Sequence, residues 1–194
     1  MTQVYIGGDS FCYYRNSQDW PSLVAKTLGF ELSGQGFPGD CWWLTRKNLL
    51  QHLKNYPDTQ TFIFCHTDPF RPLTGQQFFK NPEAEQVKEM YFKYFVDYDV
   101  SLWTVRQWYL ELNELLKDRH VLHFQSFSSS RDPFKLLSGT RVTTPLVALS
   151  LENGEQNFLN DLRRNHFSLE QNQLFAELAV KCLVSKENDL EISF

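Results

Sequence analysis

The stretch Val4-Tyr5-Ile6-Gly7-Gly8-Asp9-Ser10 decides the fold, because a short β-favouring run ends abruptly at two glycines and a polar turn. The next segment, from Asp19 to Leu28, carries its apolar residues at helical spacing. Pro21 lies in the first turn of this predicted helix, and Gly29 lies just past its end. A strand, a sharp turn and a helix in this order are typical of an alternating α/β chain.

The same alternation continues to the end of the chain. The further predicted strands are a short one within Phe30–Gln35, then Thr61–Cys65, Val121–Phe124 and Leu146–Leu149. The further predicted helices follow the Gly36–Asp40 turn, cover Glu83–Lys117 with a break near Asp97–Asp99, and follow the capping box Ser168-x-x-Gln171. This order predicts a three-layer, doubly wound α/β domain with a mostly parallel sheet of about five strands.

Length and composition indicate one globular domain that covers residues 1–194, since 42% of the residues are hydrophobic and 22% are charged. The net charge is −4 and the 19 Lys and Arg residues are scattered, which argues against nucleic-acid binding. No apolar run approaches the roughly 20 residues of a membrane span, so no membrane association is expected. No secretion signal is visible, and we therefore expect a cytoplasmic protein. The four cysteines form no CxxC pair, so we expect reduced, mostly buried thiols.

The tetrapeptide Gly7-Gly8-Asp9-Ser10 has three interpretations. It is a nucleophilic serine at the mouth of the sheet, a backbone nest for phosphate, or a plain β-turn. In a doubly wound fold, ligands bind where the loops after the first and third strands meet, here Gly7–Ser17 and His66–Pro82.

Three blocks of the sequence together resemble the SGNH, or GDSL-like, hydrolases. Gly8-Asp9-Ser10-Phe11 after the first strand is similar to the nucleophile block of that family. Gly36-Phe37-Pro38-Gly39-Asp40 is similar to its glycine block, and His166, followed by Phe167-Ser168 and the last helix, is similar to its histidine block. Each motif alone is weak, but their order and the elements between them are more specific.

The resemblance implies a flavodoxin-like fold, a serine ester hydrolase mechanism, and no metal or organic cofactor. Ser10 would be the nucleophile and His166 the general base, because a free serine hydroxyl is a poor nucleophile near neutral pH. The oxyanion hole would use the backbone N–H groups of Ser10 and Gly39, together with a side chain from a block after the third strand.

The sequence departs from the family in two of these positions. Thr67 stands where the family has an asparagine amide, so only a shorter hydroxyl donor remains as an oxyanion candidate. Arg163 stands where many members have an aspartate, three residues before His166. Asp161 is then the candidate for the third member of a Ser-His-Asp triad. The alternative is a Ser-His dyad in which a backbone carbonyl orients the histidine and Asp161 is a solvated charge in the loop.

Candidate substrate contacts are Asp9, Phe11, Asp68 and Arg71, although a local ion pair or a loop-fixing contact is the alternative for Asp68 and Arg71. The predicted function is an esterase or deacetylase that acts on a small-molecule or glycan ester. The competing hypothesis is a catalytically silent binding or structural module, supported by Thr67 and Arg163. A third hypothesis, a flavodoxin-like nucleotide or phosphate binder, is weakened by the absence of GxGxxG and P-loop patterns.

Overall fold

The structure is a computed structural model that describes residues 2–71, 85–94, 96–127, 133–151, 165–185 and 187–192. Within these residues the strands are β1 (Gln3–Gly8), β2 (Glu31–Ser33), β3 (Thr61–His66), β4 (His120–Gln125), β5 (Thr140–Val142) and β6 (Asp189–Leu190). The helices are α1 (Trp20–Leu28), α2 (Trp42–Asn55), α3 (Glu85–Tyr94), α4 (Tyr98–Leu115), α5 (Leu146–Leu149) and α6 (Leu169–Val184). Short 3-10 turns cover Ser10–Cys12 and Pro133–Leu136.

The strands form one parallel sheet in the order β2-β1-β3-β4-β5-β6. The chain proceeds from β1 to one neighbour, β2, and then crosses back to its other neighbour, β3. The carboxyl ends of β1 and β3 therefore form the switch point at which doubly wound folds bind ligands. The predicted doubly wound α/β fold is confirmed.

Each face of the sheet packs against its own helices, so the strands are buried on both sides. One core joins residues of β1, β3 and β4 to α1 and α6, and its members include Ile6, Cys65, Phe124, Trp20 and Phe175. The other core joins alternate residues of the same strands to α2 and α4, and its members include Tyr5, Phe64, Leu49, Trp108 and Tyr109. All four cysteines are free and buried, as the sequence predicts.

Helix boundaries follow the predicted signals. Gly29 ends α1 in the left-handed conformation, with φ 68°, and its N–H donates to the last carbonyls of the helix. Ser168 and Gln171 form the reciprocal capping box at the start of α6. The predicted break in the long helical region is also present, because α3 ends at Tyr94 and Asp97 caps α4.

One predicted strand is wrong. Leu146–Leu149 forms the short helix α5, and the fifth strand is Thr140–Val142, which is followed in the sheet by β6. The run Pro145–Leu149 is apolar because Leu146 and Leu149 are buried against the sheet. A four-residue apolar run has no periodicity that separates a strand from one helical turn. The sheet accordingly has six strands within the described residues, rather than about five.

Candidate active site

Ser10 begins the 3-10 turn that follows β1 at the switch point. Asp9 caps this turn, since its Oδ1 accepts the N–H of Phe11 at 3.1 Å. Gly8 has φ 134°, and a Cβ at this position would overlap the carbonyl oxygen of Cys65 on β3. A glycine is therefore required to bring β3 against the turn that carries Ser10.

His166 lies next to Ser10, although 156 residues separate them in the sequence. Its Nε2 is 2.9 Å from Ser10 Oγ, and its ring packs at 4.8 Å from the ring of Phe11. His166 precedes α6 and has a φ of 63°, in the left-handed region that few side-chain-bearing residues adopt. This contact has the geometry that general-base activation of a serine requires.

Three hydrogen-bond donors of the predicted oxyanion hole are without a partner among the described residues. They are the backbone N–H of Ser10, the backbone N–H of Gly39 and the hydroxyl of Thr67, which is buried. Gly8 pairs with Cys65, so Ser10 and Thr67 each lie two residues beyond a paired position on adjacent strands. The glycine block is held against the same turn by the hydrogen bond from Phe37 N–H to the Gly8 carbonyl at 3.3 Å.

The buried carboxyl group of Asp9 stabilises the turn that carries Ser10. Asp9 is fully buried, and its Oδ1 also accepts the Ser126 hydroxyl at 2.9 Å. Burial raises the pKa of the Asp9 carboxyl, and the nearby Arg71 guanidinium partly offsets this effect. Burial also raises the pKa of Asp40 to about 7, and the proximity of Asp9 adds to the increase. Ser126 was missed by the sequence analysis, although its position directly after β4 places it at the carboxyl edge of the sheet.

The structure corrects two of the candidate substrate contacts. Asp9 and Phe11 have no exposed surface, so they support the turn and the His166 ring instead of facing a substrate. Asp68 accepts the N–H of Phe70 at 2.8 Å and so fixes its own loop. Arg71 donates to the Asp40 carbonyl at 3.3 Å and stacks on Phe127, with 5.4 Å between the guanidinium carbon and the ring centre.

The candidate third member of the triad, Asp161, lies outside the described residues. No group of three or more His, Cys, Asp or Glu side chains in the described ranges is arranged to hold a metal ion. In the same part of the chain, none of the helices combines the length and the apolar character that a membrane crossing requires.

Known structures share this architecture. A protein from Desulfitobacterium hafniense DCB-2, described as lipolytic and of the G-D-S-L family, matches 94% of this chain and 99% of its own, with a TM-score of 0.54 and 13% sequence identity. This chain has the fold of the GDSL-type hydrolases. A GDSL-like lipase from Parabacteroides merdae matches 94% of this chain and 95% of its own, with a TM-score of 0.49 and 12% identity. No protein-family model matches the sequence, and a comparison with curated proteins gives no significant match.

Proposed function

We propose that this protein is a serine ester hydrolase that works through a Ser10–His166 acyl-enzyme mechanism. The observation that carries the proposal is the 2.9 Å contact between Ser10 Oγ and His166 Nε2 at the switch point of a GDSL-type fold. Side chains from distant parts of a chain come within hydrogen-bond distance for many reasons, but this pair lies where the fold binds ligands. Two backbone donors have no partner among the residues that the structure describes: the N–H of Ser10 in the turn after β1, and the N–H of Gly39 in the glycine block that packs against this turn.

The reaction follows from this geometry. His166 Nε2 takes the hydroxyl proton of Ser10 as Oγ attacks the ester carbonyl carbon, and the resulting oxyanion is stabilised by the backbone N–H groups of Ser10 and Gly39. The tetrahedral intermediate collapses, and His166 returns the proton to the leaving alcohol. Water then attacks the acyl-serine in the same way, releasing the carboxylic acid and restoring Ser10. Apart from the ester and the attacking water, every step uses groups of this chain, and the chemistry requires no metal or organic cofactor.

We propose that Ser10 N–H, Gly39 N–H and Thr67 Oγ1 form the oxyanion hole. Burying a hydroxyl without a partner is unfavourable, so the buried Thr67 hydroxyl is consistent with a group that is paired only when substrate is bound. We also propose that Asp161 orients the His166 ring, in the role that an acidic residue has in serine hydrolase triads. The substrate we propose is a small-molecule or glycan ester.

Labelling with a fluorophosphonate probe tests the proposal without a choice of substrate. We expect one adduct on the wild-type protein by intact mass and none on Ser10→Ala or His166→Ala, because nucleophile and base act as a unit. Ser185→Ala, a serine variant at the far end of α6, should label like the wild type. An adduct that persists in Ser10→Ala would contradict the assignment of the nucleophile.

A second candidate function is a catalytically silent binding module with the hydrolase fold. It is favoured by one observation, the replacement of the family's asparagine amide by the shorter Thr67 hydroxyl. Absence of any adduct on folded wild-type protein would support this alternative, and the folded state would be checked by circular dichroism.

A further inference from the structure

His166 needs external support, because its backbone conformation is rare for a residue with a side chain. Its φ is 63°, in the left-handed region, which residues with a side chain adopt uncommonly even though histidine does so more often than most. Such a conformation persists where the surrounding structure fixes it. Here, the backbone conformation of His166 is fixed by hydrogen bonds of its two neighbours, Asn165 and Phe167.

Asn165 and Asn172, one before and one after His166 in the chain, form a reciprocal side-chain pair. Asn165 Nδ2 donates to Asn172 Oδ1 at 2.6 Å, and Asn172 Nδ2 donates back to Asn165 Oδ1 at 3.2 Å. The Asn172 amide also donates to the carbonyl of Phe167 at 3.2 Å, and Asn165 Oδ1 accepts the Phe167 N–H at 3.3 Å. Both neighbours of His166 are therefore tied to Asn172, a residue in the first turn of α6. The two asparagines are 1% and 2% exposed, so water does not compete for these bonds.

The same asparagine is linked to the nucleophile turn. Asn172 Oδ1 accepts the backbone N–H of Trp20, the first residue of α1, at 2.8 Å. The indole Nε1 of Trp20 in turn donates to the carbonyl of Phe11 at 2.7 Å, and Phe11 directly follows Ser10. A buried hydrogen-bond chain thus runs from the His166 loop through Asn172 and Trp20 to the turn that carries Ser10.

We propose that Asn172 is a positioning residue that keeps the His166 imidazole and the Ser10 hydroxyl at hydrogen-bond distance for proton transfer. This inference rests on the proposed function, since it concerns the same two side chains. An amide suits the position because its oxygen accepts from Trp20 and Asn165, while the two hydrogens of its nitrogen are shared among three acceptors, Asn165 Oδ1 and the carbonyls of Phe167 and Ser168. An aspartate would keep the acceptor but lose the donors, and an alanine would lose both.

The test compares Asn172→Ala with Asn113→Ala. Asn113 is a matched control, because its amide also joins a helix to a loop through two hydrogen bonds, to the Leu136 carbonyl and the Ser138 N–H, both at 2.8 Å. With an activated acetyl ester, we expect Asn172→Ala to lower kcat at least 10-fold with KM within twofold. Asn113→Ala should lower Tm but keep kcat within twofold. Retention of kcat by Asn172→Ala, or an equal loss of kcat in Asn113→Ala, would overturn the proposal.

If Asn172→Ala does not fold, Asn172→Asp replaces it, and a loss of kcat of the same kind is expected. A second readout does not depend on activity, so it separates this proposal from the proposed function. The imidazole 15N signals of His166 should respond to Ser10→Ala in the wild-type background, because the two side chains are in contact. In the Asn172→Asp background this response should be lost; an undiminished response would overturn the positioning role even if no esterase activity exists.

Discussion

At the scale of single residues, Thr67 carries the most information about catalysis. Its hydroxyl is buried and has no partner among the described residues, and Thr67 directly follows β3, the strand next to the one that leads to Ser10. A group that is unpaired in the resting fold lowers stability. If it binds the oxyanion, the same group raises the rate. Stability and catalysis should therefore respond to its removal in opposite directions.

Thr67→Val removes this hydroxyl and keeps the shape of the side chain. We expect kcat for an activated ester to fall by about 10²-fold, the usual effect of losing one oxyanion donor. Tm should stay equal or rise, because an unpaired buried hydroxyl costs about 1–3 kcal/mol. Thr45→Val is the matched control, since the buried Thr45 hydroxyl donates to the Cys41 carbonyl. It should lower Tm and leave kcat unchanged; a similar pattern in both variants would argue against a catalytic Thr67.

At the scale of elements, the end of β1 and the turn after it depend on close contact with β3. Asp9 N–H donates to the Cys65 carbonyl at 3.3 Å, and this contact exists because Gly8 has no side chain. The strand-and-turn pattern of this region was predictable from the sequence, since glycines and polar residues after a β-favouring run mark such a break. The sequence does not predict which strand approaches Gly8, because that depends on the order of the strands in the sheet.

Gly8→Ala should destabilise the protein by about 3 kcal/mol or more, or prevent folding, because the new Cβ meets backbone that cannot move independently of β3. Gly29→Ala is the control. Gly29 also has a positive φ, 68°, but a Cβ there meets nothing within 4 Å. Its cost should be the conformational one alone, about 1–2 kcal/mol. Denaturant unfolding of both variants measures the difference, and equal losses would show that backbone conformation, not contact with β3, decides the effect.

At the scale of the whole molecule, two kinds of buried titratable group make stability depend on pH in opposite directions. Burial lowers the pKa of His123 to about 4 and also lowers the pKa of its partner His66, 2.9 Å away. The unfolded chain binds these protons below about pH 6.5, so the histidines reduce stability as the pH falls toward 4. Asp40 acts in the other direction. Its pKa is raised to about 7, so the folded protein loses stability as the pH rises from about 4 to 7.

Asp40→Asn should remove the second of these effects. At pH 8, where folded Asp40 is ionised beside Asp9, we expect the variant to have a higher Tm than the wild type. The gain in the free energy of unfolding should be on the order of 1 kcal/mol, because solvent screening reduces the effect below the roughly 1.4 kcal/mol that corresponds to each pKa unit. Near pH 4 the difference should nearly vanish. Asp58→Asn, at an exposed position, controls for the loss of one negative charge; a Tm gain for Asp40→Asn that does not change with pH would contradict the explanation.

The sequence by itself determined the alternation of strands and helices, most of the helix boundaries and the block that contains Ser10. These features depend on local periodicity, glycine and proline positions, and capping residues, all of which act within a few residues along the chain. The resemblance in three blocks also suggested Ser10, His166 and Gly39 from the sequence alone. The local pattern gave the wrong element for Leu146–Leu149, where one short apolar run fits both a strand and a helix.

Only the tertiary structure brought Ser10 within 2.9 Å of His166 and placed Thr67 at the end of the strand next to the one that leads to Ser10. It also buried Asp9 and Phe11, and it joined Asn165, Asn172 and Trp20 into one hydrogen-bonded chain. These relations depend on which strands are neighbours and which helices cover them. That is decided by the packing of two cores over the whole chain, so residues that are 156 positions apart become partners through contacts that no local pattern records.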